Sequence, residues 1–277
     1  MTLNIVYEDS DILILNKSAG ISVHKTHPQD PNKTLVDFVL EKYPEIKDVG
    51  ENPLRPGLVH RLDKDTSGLI LLAKNQKTFE YFKNLFQTRQ IKKTYLALVH
   101  GQLKNKKERI ELPLGKIGTK QTTRIIGKKE LKERAAITDY EVIKEYVAGK
   151  PDIHPLENSR GDSGRAKAPT EKLLLSARSR GSKVGCMADL PIYSLLQVYP
   201  QTGRTHQIRI HLKSIGHPLV CDSIYGGRKM VCPPELGRLF LHAQKLELKH
   251  LNGQNMVLEA DPPEELTNFL KSLNISF

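Results

Sequence analysis

Tryptophan is absent from the 277-residue chain, and aromatic residues make up only 6% of it. So few aromatics argue against a surface on which single-stranded nucleic acid stacks. The three cysteines, Cys186, Cys221 and Cys232, are too few and too scattered for a disulfide framework or a Cys-x-x-Cys metal site. We therefore expect the cysteines to be reduced.

Long hydrophobic runs and several familiar catalytic motifs are also missing. No stretch approaches the ~20 apolar residues of a membrane-spanning helix, and residues 1–9 turn acidic before a signal peptide could form. There is no Walker-type glycine loop, dinucleotide-binding glycine fingerprint, Gly-x-Ser-x-Gly or His-Glu-x-x-His. These absences predict a cytoplasmic, metal-free protein that does not associate with membranes.

Positive charge is the first functional indication. Lys and Arg number 43 against 31 acidic residues, a net charge of +12. Residues 74–134 contain 17 basic and 5 acidic residues, and this surplus of 12 equals that of the whole chain. Such a concentration favours a polyanionic partner, because binding phosphates releases counterions. A basic face kept for solubility is the alternative, and composition does not decide between them.

The order of predicted elements indicates one α+β domain over residues 1–277, with a largely antiparallel sheet and flanking helices. Strands outnumber helices and show no regular βαβ rhythm. The apolar run 69–73 predicts a buried strand, and 76–89 an amphipathic helix. Residues 147–191 are rich in Pro, Gly, Ser and charge without an apolar period, which predicts an exposed or partly disordered insertion.

Asp63 is the first candidate for chemistry. The sequence His60-Arg-Leu-Asp63 follows a Pro/Gly-rich loop and precedes a fully apolar strand. This places a carboxylate at a sheet edge, over a core that can desolvate it. A turn with a surface ion pair is the simpler alternative, and Asp65 to Ser67 are typical turn formers.

A second candidate block, Gly203-Arg-Thr-His-Gln-Ile-Arg209, lies at the start of a predicted helix for which Thr205 suits the N-cap. Either Arg204 or Arg209 could pair with Asp63 and keep it ionised. The alternatives for both are phosphate contact or structural pairing. Zinc binding by His206, His211 and His217 is rejected, because no Cys or carboxylate lies at ligand spacing.

Together these segments resemble the RluA-type family of RNA pseudouridine synthases. The most specific stretches are His60-Arg-Leu-Asp-Lys-Asp-Thr-Ser-Gly68 and Gly203-Arg-Thr-His-Gln-Ile-Arg209. The other matching stretches are 5–9, 14–20, 23–24, 55–59, 93–97, 210–212, 216–219 and 241–243. They occur in the family's order from residue 5 to about 248.

The resemblance implies the pseudouridine synthase catalytic fold with a central RNA-binding cleft. It also implies an isomerase that converts uridine in RNA to pseudouridine and consumes nothing, so that no cofactor is expected. Asp63 matches the catalytic aspartate acting at C1′, Tyr95 the tyrosine that packs on the base and helps to remove the C5 proton, and Arg204 the arginine that pairs with the carboxylate.

The same resemblance assigns the substrate-binding residues. Arg61 matches the side chain that fills the gap left by the flipped uridine. Ile208 and Leu241 would line the apolar floor under the base, and His60 belongs to the same binding group.

Two features differ from the family pattern. The matching stretches begin at residue 5, so no N-terminal S4-type RNA-binding module is expected, and the basic region 74–134 is the candidate RNA surface. The insertion at 147–191 stands where we expect a short turn between paired strands. The expected partner is structured RNA, either tRNA or rRNA, read through its folded shape by a monomer without an obligate protein partner.

Two other functions remain open. A glycoside or nucleoside hydrolase would need a second carboxylate at least ~5 Å from the first, for which only Asp65 is near, and it would release free base. A non-catalytic RNA-binding protein would bind RNA without product, which intact Asp63, Tyr95 and Arg204 argue against.

Overall fold

The computed structural model describes residues 2–117, 120–123, 133–147, 192–227 and 232–275. The predicted insertion, apart from its first residue, lies outside these ranges. No helix within them is long and apolar enough to cross a membrane.

Strands dominate the described residues. They are β1 Ile5–Glu8, β2 Ile12–Lys17, β3 Ser67–Ala73, β4 Lys92–His100, β5 Lys107–Glu111, β6 Leu114–Ile117, β7 Lys120–Thr123, β8 Ile137–Val147, β9 Ile192–Pro200, β10 Leu241–Lys249, β11 Asn255–Glu259 and β12 Asn274–Ile275. The helices are α1 Leu35–Lys42, α2 Gln76–Gln87, α3 Gln207–Ser214 and α4 Glu264–Ser272, with a short 3₁₀ helix at Pro44–Asp48.

Ten strands form one sheet in the order β1-β2-β3-β10-β4-β9-β8-β12, with β11 beside β10 and β5 beside β8. Every pair in it is antiparallel except β3 with β10. β6 and β7 form a separate hairpin. The predicted α+β class and largely antiparallel sheet are confirmed.

The parallel contact between β3 and β10 joins two halves of the sheet. Ser67 lies opposite His242 and Gly68 opposite Ala243. The Ser67 hydroxyl is 2.9 Å from Nδ1 of His242. Gly68 has a φ of +114°, and a Cβ there would lie 2.6 Å from the Ala243 nitrogen. Glycine is therefore required where the two backbones approach most closely, immediately after the Asp63 loop.

β8 and β9 are antiparallel neighbours, with Val147 opposite Ile192. The strand ends at Val147 and Ile192 are therefore adjacent. This is the position at which the sequence predicts an insertion in place of a short turn.

Two hydrophobic clusters meet beneath the centre of the sheet. One is built from β2, β3, α1 and the 3₁₀ helix, and the other from β4, β9 and α3. Tyr95 on β4 packs against both.

The cysteine prediction is wrong for one pair. Cys221 and Cys232 form a disulfide with a Cα–Cα distance of 4.5 Å. They lie eleven positions apart in the sequence, and that spacing alone does not reveal the pairing. Cys186 lies outside the described residues.

Gly68→Ala should destabilise the protein by about 2 kcal/mol or more, because it combines a left-handed backbone with a clash against Ala243. Thermal and urea denaturation would measure the loss. Gly253→Ala is the matched control. Its φ is +89°, but the added Cβ would meet only the flexible Lys249 side chain at 4.0 Å, so it should cost about 1 kcal/mol. Equal losses of stability in the two variants would contradict the claim that the close approach of β3 and β10 requires glycine at position 68.

Candidate active site

A cleft of about 1160 Å³ opens above the junction of β3, β10 and β4. The seven residues predicted from the sequence all line it: Asp63, Tyr95, Arg204, Arg61, His60, Ile208 and Leu241. The structure therefore brings together residues spread from position 60 to position 241 of the chain.

The Asp63 loop is fixed from below by a buried cation. Nζ of Lys17 donates hydrogen bonds to the carbonyl oxygens of Ser18, Ile21 and Lys64 at 2.8–3.0 Å. Burial lowers the pKa of Lys17 to about 7. The backbone N–H of Thr66 donates to the Asp63 carbonyl at 3.2 Å. The carboxylate itself keeps 17% of its surface exposed at the cleft floor.

A buried ion pair stands behind Asp63. Arg209 on α3 donates through Nε and Nη2 to Asp222, at 2.9 and 2.6 Å. Its remaining nitrogen, Nη1, lies 4.0 Å from Oδ2 of Asp63. The side chains of Arg209 and Asp222 are 2% and 0% exposed. Arg209 is thus held by one carboxylate and aimed at the other.

The electrostatics of this pair keep both groups charged. Burial works against the charge of Arg209, but the hydrogen bonds and charge of Asp222 outweigh it and raise the pKa of Arg209. Burial likewise works against Asp222, but Arg209 and two backbone N–H donors hold the pKa of Asp222 below its usual value. A permanent positive charge therefore faces Asp63.

Arg204 does not make the predicted pair with Asp63. Its Nε donates to the Ala135 carbonyl at 3.3 Å, and the arginine within 4.0 Å of Asp63 is Arg209. The reason is that Arg204 precedes α3, whereas Arg209 lies inside it. Of the two arginines left open by the sequence, the geometry selects the second.

Gln207 fixes α3 in this position. Its side-chain oxygen accepts hydrogen bonds from Thr202 Oγ1 and the Arg204 N–H, and its nitrogen donates to Ile137 O and Thr138 Oγ1. All residues from Gln207 to Leu212 are buried. The helix begins one residue later than predicted, with His206 rather than Thr205 as N-cap.

The three histidines considered for zinc lie on different partners. His206 is 3.9 Å from Asp63 Oδ1 through Nε2. His211 contacts Thr138 Oγ1 and the Leu112 carbonyl, and His217 contacts the His100 carbonyl.

Tyr95 stands on β4 between Ala243 of β10 and Val198 of β9. Burial raises the pKa of its hydroxyl, and the negative charge of Asp63 raises it further by a smaller amount. Tyr95 is therefore a neutral phenol at physiological pH. Ile208 and Leu241, both buried, belong to the cluster against which Tyr95 packs, and the three together form an apolar floor.

His60 and Arg61 occupy different depths of the cleft. Nε2 of His60 accepts a hydrogen bond from the Leu71 N–H at 2.9 Å, and the ring stacks on Phe86 at 4.5 Å. Burial, and next Lys93, lowers the pKa of His60 to about 3, so the ring is neutral. Arg61 is exposed, with Nη1 3.5 Å from Nε2 of His24.

The cleft wall is predominantly basic. Eight Lys and Arg residues line it: Arg55, Arg61, Lys83, Arg89, Lys92, Lys93, Arg204 and Arg209. The acidic residues of the lining are four: Glu51, Asp63, Asp139 and Glu141. Burial lowers the pKa of Lys93 to about 8. Four of the cations, from Lys83 to Lys93, belong to the basic region 74–134 singled out in the sequence.

Sequence reasoning missed Asp222 and Tyr225 and did not select Arg209. One signal in the sequence could have indicated Arg209. It lies three positions after His206, and residues at that spacing are neighbours on the surface of a helix. Nothing in the sequence around Asp222 indicates that it supports an arginine thirteen residues earlier.

Comparison with known proteins shows the family of this chain. A family model described as RNA pseudouridylate synthase matches residues 11–214. An uncharacterized RNA pseudouridine synthase of Bacillus subtilis, YlyB, is 30% identical over 274 residues, covering 99% of this chain and 73% of that protein. The ribosomal large subunit pseudouridine synthase D of Yersinia pestis is 31% identical over 284 residues, covering 98% and 70%.

Among solved structures, the human RNA pseudouridylate synthase domain containing 1 aligns with a TM-score of 0.67 and 22% identity, over 99% of this chain and 89% of that one. This confirms the pseudouridine synthase fold. The chain belongs to the RNA pseudouridine synthase family, as its resemblance to the RluA type predicted. It is an isomerase that acts on uridine in RNA.

Arg209→Lys should lower the rate of pseudouridine formation about 100-fold, because a lysine cannot contact Asp222 through a fork and still face Asp63. Arg204→Lys should cost less than about tenfold, mainly in KM, since its charge remains at the wall. Single-turnover assays, with melting curves to verify folding, would compare them. A greater loss of rate in Arg204→Lys than in Arg209→Lys would support Arg204 as the arginine that acts on Asp63.

Proposed function

We propose that this protein isomerises uridine in folded tRNA or rRNA, with Asp63 acting at C1′ of the target nucleotide. The observation that carries the proposal is the position of the Asp63 carboxylate at the apolar floor of a basic cleft, where it faces a buried and charged arginine. The floor accommodates a flipped base, and the wall attracts phosphates.

The reaction breaks the N1–C1′ bond, turns the uracil in place and joins C5 to C1′. Asp63 attacks or electrostatically stabilises the sugar at C1′ while the bond to N1 breaks. Arg209 presents its permanent positive charge to the carboxylate oxygen that either step needs. We assign to Arg209 the role that the family resemblance implied for Arg204, and to Arg204 contact with the RNA backbone.

Tyr95 packs on the base, with Ile208 and Leu241 beneath it. The last step moves a proton from C5 to N1. Because the hydroxyl of Tyr95 is neutral, it takes part only as a relay that releases its own proton while it receives the one from C5.

Arg61 is placed to fill the gap left by the extruded uridine, since it is exposed at the cleft mouth and His24 supports its guanidinium. His60 anchors this segment to β3 and offers only a ring edge to substrate. Extrusion costs a few kcal/mol, least in a loop with unstacked bases, which favours folded stem-loops as substrates. The Yersinia relative's name points to large-subunit rRNA as the first pool to test.

The hydrolase alternative has less support. Its nearest candidate for a second carboxylate, Asp65, lines a different cavity. Asp139 and Glu141 line the cleft but pair with Arg109 at 2.7 Å and with Lys107 at 2.8 Å. We further propose that the protein acts as a cytoplasmic monomer and needs no cofactor, because the isomerisation consumes nothing.

Wild type incubated with bulk tRNA and rRNA should form pseudouridine without releasing uracil, as measured by chromatography of digested nucleosides. Asp63→Asn should abolish product while RNA affinity stays within a few-fold, because the substitution preserves shape and leaves the basic wall intact.

Three outcomes would count against the proposal. Free uracil would support the hydrolase. Binding without product in wild type would support the non-catalytic protein. Normal turnover by Asp63→Asn would refute the site assignment.

A further inference from the structure

His206 adopts a backbone conformation that neither the helix nor its cap explains. It has φ 54° and ψ 20°, in the left-handed region, and its side chain makes no capping hydrogen bond to α3. A non-glycine residue pays roughly 1 kcal/mol or more there, and such strain persists when surrounding contacts fix it. Besides the hydrogen bond from the Ile210 N–H to the His206 carbonyl at 3.0 Å, the contacts that fix His206 are those of its ring.

The ring is held between Tyr225 and the catalytic carboxylate. Nδ1 lies 2.9 Å from the Tyr225 hydroxyl, and the two rings meet edge to face at 5.6 Å. Nε2 lies 3.9 Å from Oδ1 of Asp63. The guanidinium of Arg209 sits over the same Tyr225 ring at 5.3 Å. Tyr225 therefore supports both basic groups that flank Asp63.

The charges around His206 determine its protonation state. Asp63, Arg209, Asp222 and Arg61 all act on the ring, but burial has the largest effect and lowers the pKa of His206. At neutral pH the ring is uncharged. The tautomer with its proton on Nε2 presents an N–H to Asp63 and accepts from Tyr225 on Nδ1, whereas the other tautomer would set a lone pair against the carboxylate.

We propose that His206 is a positioning residue of the isomerisation, whose neutral ring, braced by Tyr225, orients the Asp63 carboxylate toward the sugar. Arg209 approaches Oδ2 and His206 approaches Oδ1, so together they set the plane of the carboxylate. The 3.9 Å separation is longer than a hydrogen bond, and contacts of this kind tighten when substrate binds. The inference rests on the proposed role of Asp63.

Protonation of the His206 ring should make its contact with Asp63 inhibitory. Below its pKa the imidazolium forms an ion pair with Asp63 and withdraws the carboxylate from C1′. Because burial moves that pKa below the ordinary value of about 6.5, the acid limb of kcat that His206 causes should lie below about pH 6.5.

His206→Asn tests the proposal with a residue that tolerates the left-handed conformation. We expect kcat to fall about tenfold or more, with KM within about two-fold, and the acid limb that His206 causes below about pH 6.5 to disappear. His206→Gly relieves the strain and should fold, so it separates loss of the ring from loss of structure. His27→Asn, the same substitution at an exposed histidine outside the cleft, should leave kcat and the limb unchanged.

Each outcome decides one question. Tyr225→Phe should also lower kcat, because the His206 ring loses its contact with the Tyr225 hydroxyl. Unchanged kcat in both His206 variants, or an acid limb that persists in them, would overturn the positioning role. A wild type that forms no pseudouridine on any RNA would instead refute the proposed function.

Discussion

The buried pair of Arg209 and Asp222 is the constraint on which the site depends. Two charges in a protein interior cost several kcal/mol each unless hydrogen bonds and mutual attraction offset that cost. Here Asp222 accepts two hydrogen bonds from Arg209 and two from the backbone of Ile224 and Tyr225. The guanidinium is consequently rigid, and its third nitrogen can only face Asp63. Orientation, rather than stability, is what this pair contributes.

The same constraint links distant parts of the chain. α3 supplies Arg209, the turn after Cys221 supplies Asp222, and the loop before β3 supplies Asp63. The parallel contact between β3 and β10 holds the Asp63 loop against Leu241, while β4 places Tyr95 next to both. The insertion is attached to the sheet at the strand ends Val147 and Ile192. Tyr199 and Pro200, at the other end of β9, line the cleft. The nine residues of β9 therefore separate the attachment point of the insertion from the cleft by roughly 25 Å.

Local patterns predicted the elements well and their long-range contacts poorly. Apolar runs and helical spacing identified β3, α2 and β4, because each buries one face or both faces. The β3–β10 contact joins Ser67 to His242 across 175 positions, and no local pattern specifies it. All seven residues that the family resemblance named line the cleft, but the resemblance paired Arg204 with Asp63, whereas Arg209 lies beside it, because that choice depends on where α3 begins. His206 shifts that start by adopting a left-handed conformation that sequence propensity does not favour.

The account's central claim is that Asp63, held by Arg209, meets C1′ of a flipped uridine in this cleft. The most direct measurement is an experimental structure with an RNA that the enzyme modifies, carrying 5-fluorouridine at the target, since fluorine at C5 blocks the final proton loss. We predict the target base on Tyr95, an Asp63 oxygen within about 3.5 Å of C1′, and Arg209 still bound to Asp222. A target nucleotide bound elsewhere, or with its C1′ facing another carboxylate, would contradict the account.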